Sequence, residues 1–175
     1  MNIKRLFFWG ALFFLLLGYV LIFEKKPVEK ISEPDGTELT PVFAFSQEDI
    51  VHVEIIHKNK RVVLKRTARS WQAISPKPKQ KLRQEAIRSL LSAIVDAVVI
   101  SVIADDPKDL SQFGLSRPSS VLNIFLEEKD KPVVFLLGNK TPITISMYAM
   151  EKDKNTVIET GTFLAASISS FMANF

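Results

Sequence analysis

Residues 51–67 read VHVEIIHKNKRVVLKRT, and this stretch decides the fold. Val51, Val53 and Ile55 alternate with His52, Glu54 and Ile56, the period of two that turns one side of a strand toward a core. His57-Lys58-Asn59-Lys60 is a polar turn, and residues 61–67 return as a second strand around Val62, Val63 and Leu64. Trp71-Gln72-Ala73-Ile74 reads as a third.

Downstream of the proline-lysine stretch 76–79 the period becomes helical. Ile87, Leu90, Leu91, Ile94 and Val98 fall on one face, with Glu85, Arg88, Ser92 and Asp96 on the other. Residues 99–104 are β-branched and extended. Asp106-Pro107 reads as the N-cap and first residue of a short helix that Gly114 closes. Residues 121–127 and 133–137 form a second hairpin across Glu128-Lys129-Asp130-Lys131. Residues 145–150 and 156–159 add two strands, and 162–171 has the spacing of a closing helix. The expected fold class is α+β, with two antiparallel β-meanders each backed by a helix.

Working outward to the N-terminus, residues 6–23 read LFFWGALFFLLLGYVLIF, eighteen residues without a charge. As a helix they would span roughly 27 Å, close to the hydrocarbon thickness of a bilayer. Leu6, Trp9, Phe14, Leu16, Tyr19 and Phe23 are the expected anchor contacts, with Trp9 and Tyr19 near the two headgroup zones. The run ends in Ile22-Phe23-Glu24-Lys25 with no small-residue pair to cut, which disfavours a cleaved signal peptide. Residues 24–42 hold three prolines, one glycine and five acids, the composition of a tether. The expected organisation is a transmembrane anchor at 1–23, a tether at 24–42 and a folded domain at 43–175. Lys4 and Arg5 before the run nearly balance Lys25, Lys26 and Lys30 after it. The short leader is expected to stay in the cytoplasm, with the domain outside the inner membrane of a bacterium.

The chain has 175 residues, 23 Lys+Arg, 19 Asp+Glu and no cysteine. Disulfide scaffolds, CxxC redox sites, zinc ribbons and thiol nucleophiles are therefore excluded. The formal charge of +4 is unevenly spread: residues 27–50 net −5, while 58–83 hold ten basic residues and no acid. These are Lys58, Lys60, Arg61, Lys65, Arg66, Arg69, Lys77, Lys79, Lys81 and Arg83, a strip suited to an anionic lipid surface or an acidic envelope polymer. Trp71 is the one aromatic interleaved with them, which disfavours nucleic acid, since single strands need several stacking platforms.

Other candidates read as structure. His52 and Glu54 share a strand face, but the sequence nominates no third metal ligand. Asp105, Asp106 and Asp109 read as helix-capping acids. Gly138-Asn139-Lys140-Thr141-Pro142 lacks the second glycine and the strand–loop–helix setting of a phosphate loop and reads as a β-turn. No catalytic residue, metal or cofactor is nominated.

Several motifs stand together along the chain: Phe43-x-Phe45 leading into Glu48-Asp49-Ile50, then Val53-Glu54-Ile55, the strand at 62–66 and Trp71. Phe113-Gly114-Leu115-x-x-Pro118 and Leu137-Gly138-Asn139-Lys140-Thr141-Pro142 follow, with Tyr148 and Val157-Ile158 after them. Over residues 43–165 the chain resembles the bacterial domain of unknown function 4340. The resemblance implies a membrane-tethered envelope domain, often linked with ABC-type exporters or gliding auxiliary proteins, and implies no catalytic residues. The expected function is a non-enzymatic single-pass accessory or scaffold subunit that docks onto a larger membrane complex, such as a transporter. The alternative is a membrane-proximal binding module that uses the strip at 58–83.

Overall fold

The hairpin read at 51–67 lies beside one edge of a large antiparallel sheet. In a computed structural model, the described residues are 40–175 apart from 69, 79–81 and 144. The anchor read at Leu6, Trp9, Phe14, Leu16, Tyr19 and Phe23 lies outside them, as does the tether up to residue 39. Among the described residues no helix is long and apolar enough to cross a membrane.

The strands are β1 (Thr40–Pro41), β2 (Ile50–His57), β3 (Lys60–Arg66), β4 (Trp71–Ser75), β5 (Val98–Asp105), β6 (Ser120–Leu126), β7 (Val133–Lys140), β8 (Ser146–Glu151) and β9 (Thr156–Gly161). Helix α1 (Gln84–Val95) joins β4 to β5, and α2 (Phe163–Met172) follows β9. All strand pairs are antiparallel, in the order β1-β5-β9-β8-β7-β6-β2-β3-β4.

This corrects the expected fold class. The strands do not form two meanders each backed by its own helix; they form a single nine-stranded sheet, and the described body is mostly β with two short α-helices. The fusion lies at β2 and β6, where Val53 pairs with Ile124, Ile55 with Leu122 and His57 with Ser120. Each strand alternates buried and half-buried residues, so the pairing extends one apolar face across both hairpins. Both helices cover that face together: α1 packs on α2, and α2 on β2. Ile87, Leu90, Leu91 and Ile94 of α1, Leu164, Ile168 and Phe171 of α2, and Val53, Leu64, Leu122, Ile124 and Phe135 of the sheet belong to one buried cluster.

The helical face read from Ile87 to Ile94 is the buried one. Val98, read on the same face, instead opens β5, because α1 closes at Asp96, whose N–H donates to Ser92 O at 2.8 Å. Folded structure reaches back into the segment read as tether: Thr40 pairs with Val99, and Val42 is buried. The helix expected from Asp106 is absent. Asp106 has φ of +49°, and the helical geometry is one 3-10 turn at Ser111–Phe113. Gly114 does close that turn, with φ of +71° in the left-handed region that glycine enters freely.

The connection through this turn lies on the sheet face away from the helices. There Phe113 and Leu115 join Met150 and Val157 in a second buried cluster, edged by Leu136 and Tyr148. The ring of Phe113 meets that of Tyr148 edge-on at 5.2 Å. Residues 138–140, read as part of a β-turn, stay in β7. The ladder to β8 is irregular between Leu137 and Lys140.

Candidate functional site

The hairpin that begins the basic strip divides its cations between two roles. Lys58 and Lys60 sit at the β2–β3 turn, where Lys58 and Asn59 have φ of +47° and +65°. Lys65 lies further along β3, opposite His52 on β2 and Gln72 on β4. Lys58, Lys60 and Lys65 are exposed and form no ion pair among the described residues, and Lys77 and Arg83 are exposed as well. Arg61 and Arg66 are committed within the fold. Arg61 Nη2 lies 2.7 Å from Glu54 Oε1. Arg66 donates to Glu127 Oε2 at 2.9 Å and to the carbonyl of Glu48. Arg69, Lys79 and Lys81 lie outside the described residues.

Among the described residues the strip is therefore interrupted: Glu54, on the adjoining strand of the same hairpin, occupies Arg61, and Glu127 occupies Arg66, the latter a contact that the sequence could not reveal because the two are 61 residues apart. Exposed ion pairs of this kind contribute little stability, yet they remove two charges from the local field.

Glu54 is the best-buried acid of this region, with a side chain 14% exposed. It accepts from Arg61 and from Asn123 Nδ2 at 3.2 Å. Desolvation alone raises its pKa, but the hydrogen bonds from Arg61 and Asn123 and the neighbouring positive charge bring it below its ordinary value. His52 Nε2 stands 4.0 Å from the same carboxylate, and its ring stacks on Phe125 with centroids 4.6 Å apart. Burial is the main cause that lowers its pKa.

The sequence correctly places His52 and Glu54 on one face. Among the described residues no group of three His, Cys, Asp or Glu could hold a metal ion. His57 faces elsewhere, with Nδ1 2.8 Å from Ser120 Oγ across the β2–β6 pair.

The three aspartates read as caps all have local partners, although no α-helix begins there. Asp109 Oδ1 accepts from Ser111 N–H at 2.8 Å, and the Ser111 hydroxyl first, with this N–H second, holds its pKa low. Asp105 accepts from Thr156 Oγ1 at 2.9 Å, and Asp106 from the side chain of Asn155. Lys140-Thr141-Pro142 leads from a strand into a β7–β8 turn, not into a helix, so the phosphate-loop setting is absent here.

Sequence reasoning missed two features. One is a polar cluster where β8 begins and β9 nears its end: Glu159 accepts from Ser101 Oγ at 2.8 Å and from Ser146 Oγ, whose own neighbour is Thr141 Oγ1 at 2.7 Å. Isolated serines and threonines gave no signal of it. The other is a set of nearly naked apolar side chains beside that cluster, Ile143, Ile145 and Phe163. The exposure of Ile145 and Phe163 was hidden because both were read as parts of regular elements. The groove between α1 and α2, about 350 Å³, is lined by small and neutral groups such as Ala86, Ser89, Ser167 and Asn174.

These features define a mostly-β body, one antiparallel sheet covered by helices on one face and crossed by an ordered connection on the other. Residues 71–175 match the family described as a domain of unknown function (DUF4340), and the chain belongs to that family. The matched stretch contains Phe113-Gly114-Leu115 and Leu137-Gly138-Asn139, while the resembling residues at 43–66 precede it. No curated protein and no solved structure matches the chain.

Proposed function

We propose that the chain is a non-enzymatic, single-pass membrane accessory subunit whose folded body lies outside the cytoplasm and docks onto a larger membrane complex, such as a transporter. The observation that carries this reading is the uncharged run at residues 6–23, joined to a small sheet body through a proline- and acid-rich segment. The chemistry of the body is in keeping with it. Glu54 accepts from Arg61 and Asn123 on neighbouring strands, and Asp49 and Asp109 accept within their own turns.

The test is affinity purification of the tagged full-length chain from membranes in mild detergent. Stoichiometric membrane proteins are expected to co-purify, and the chain is expected to stay in the pellet through high-salt washes. A chain that always runs alone overturns the docking role, and one released by salt overturns the membrane anchoring.

A second reading is favoured by the exposure of Lys58, Lys60 and Lys65: a module that holds anionic lipid or an acidic envelope polymer. Binding through these side chains weakens as ionic strength rises. Binding indifferent both to salt and to the anionic content of vesicles or polymer overturns this reading.

A further inference from the structure

Following the ladder from strand to strand shows which side chains share one end of the sheet. Thr40 pairs with Val99, Val99 with Thr160, Thr160 with Met147, and Met147 with Lys140. This row crosses five strands, roughly 19 Å at the usual spacing between neighbours. Just beyond it project Ile143 and Ile145, 94% and 91% exposed, and Phe163, 69% exposed. Ser146 pairs with Gly161, so the β7–β8 turn and the start of α2 leave the sheet side by side.

The turn is tied at its base. Thr141 N–H donates to Ser146 O at 3.0 Å, and the two hydroxyls lie 2.7 Å apart. The isoleucines are thereby held away from the body rather than folded onto it. The β2–β3 turn reaches the same end, because Leu137 pairs with Ser120, Ser120 with His57, and His57 with Lys60. Lys58, Lys60 and Lys140 are all exposed there; Asp96, at the close of α1, is an acid at this end. The opposite end differs, with the charged β6–β7 turn Glu128-Lys129-Asp130-Lys131.

Naked apolar side chains flanked by lysines suit the boundary between headgroups and acyl chains of an anionic bilayer. Charge favours anionic lipid: three exposed lysines stand at this end beside Asp96, while the opposite turn mixes Glu128 and Asp130 with Lys129 and Lys131. Thr40, the first described residue, lies in the same cross-sheet row. We propose that this end of the sheet rests on an anionic bilayer, with Ile143, Ile145 and Phe163 entering the headgroup–acyl boundary and Lys58, Lys60 and Lys140 against lipid phosphates. The inference rests on the membrane reading above and adds to it the orientation of the body.

The absence of cysteine from the sequence makes single-site labelling direct. The full-length chain is reconstituted into phosphatidylethanolamine–phosphatidylglycerol vesicles as Ile145→Cys, Phe163→Cys or, at the far end, Asp130→Cys, each carrying an environment-sensitive fluorophore. Lipids with a nitroxide near the headgroup are expected to quench the first two severalfold more than the third. Equal quenching at all three sites, in chain that stays with the vesicles, overturns this inference and leaves the membrane reading standing. Blue-shifted emission without lipid quenching at residues 145 and 163 identifies a protein contact and likewise overturns it. Chain that does not stay with the vesicles overturns both.

Discussion

A methyl group on Gly138 would overlap the carbonyl oxygen of Phe113. The reverse contact is as close: a Cβ on Gly114 would run into the side chain of Asn139 and lie 2.8 Å from its backbone nitrogen. The two turn motifs through which the sequence resembles its family are thus halves of one contact. They press the connection between β5 and β6 against the end of β7, where the second buried cluster forms.

Gly138→Ala forces backbone away from backbone, since the obstructing atom is a carbonyl oxygen and not the tip of a side chain. The expected cost is about 2–3 kcal/mol, at the upper end of overpacking. Urea unfolding measures it directly. A midpoint equal to that of the natural chain contradicts the contact.

Gly114→Ala adds a left-handed φ to a steric clash, and the backbone strain alone is worth about 1–2 kcal/mol. Trimming the neighbour as Asn139→Ala removes the side-chain obstacle but leaves the backbone nitrogen in place. Most of the loss from Gly114→Ala is therefore expected to persist in the double variant. Full recovery would assign the whole effect to the asparagine side chain.

Trp71 is read from sequence as a strand residue, and its side chain is buried in the main cluster. It also stands on an edge strand, where its backbone is satisfied by a side chain: Trp71 N–H donates to Gln84 Oε1 at 3.0 Å, and Gln84 Nε2 donates to Trp71 O at 2.8 Å. Trp71→Ala is expected to cost roughly 3–5 kcal/mol by loss of burial. Gln84→Ala is expected to cost about 1–2 kcal/mol by stripping two backbone partners. A Trp71→Ala loss under about 1 kcal/mol would mean that the ring contributes nothing to the core.

What was legible in the sequence was local. The alternation of Val53 and Ile55, the polar turn at Lys58-Asn59 and the helical spacing of Ile87, Leu90, Leu91 and Ile94 each report on a few neighbouring residues, and each element formed. The pairing of β2 with β6 and of β5 with β9 joins residues more than fifty positions apart. No turn dictates those registers, so two local meanders were expected where one sheet exists. The basic strip is legible to the same extent. Its density was visible, but the acids that occupy Arg61 and Arg66 arrive from β2 and from the end of β6.

Arg61 and Glu54 provide a test of that neutralisation. Arg61→Ala leaves Glu54, 14% exposed, with Asn123 as its remaining donor. Arg61 itself is 62% exposed, so the expected loss at neutral pH is modest, about 1 kcal/mol. The folded-state pKa of Glu54 lies below its ordinary value of 4.5. Its stabilisation is complete above that value and is lost as pH falls through the folded pKa. The difference between the natural chain and Arg61→Ala should therefore shrink as pH drops below about 4.5. A difference that stays constant to lower pH contradicts the ion pair.

The histidines act in a higher window. Burial lowers the pKa of both His52 and His57 from 6.5, aided at His57 by the charge of Lys58 and at His52 by Lys65 and Arg61. The unfolded chain then takes up protons first as pH falls, so stability should decline from about pH 7 downward through 6.5. His57 Nδ1 is held by Ser120 Oγ, while Nε2 of each ring is buried without a hydrogen bond among the described residues; burial outweighs the opposing pull of Glu54 at His52 and of the Ser119 backbone at His57. The double variant His52→Gln/His57→Gln is expected to flatten the dependence between pH 7 and 5.5 while keeping the Glu54-linked decline below it. Urea midpoints taken across both windows separate the two effects. A natural chain whose midpoint stays level between pH 7 and 5.5 contradicts the burial of neutral imidazoles.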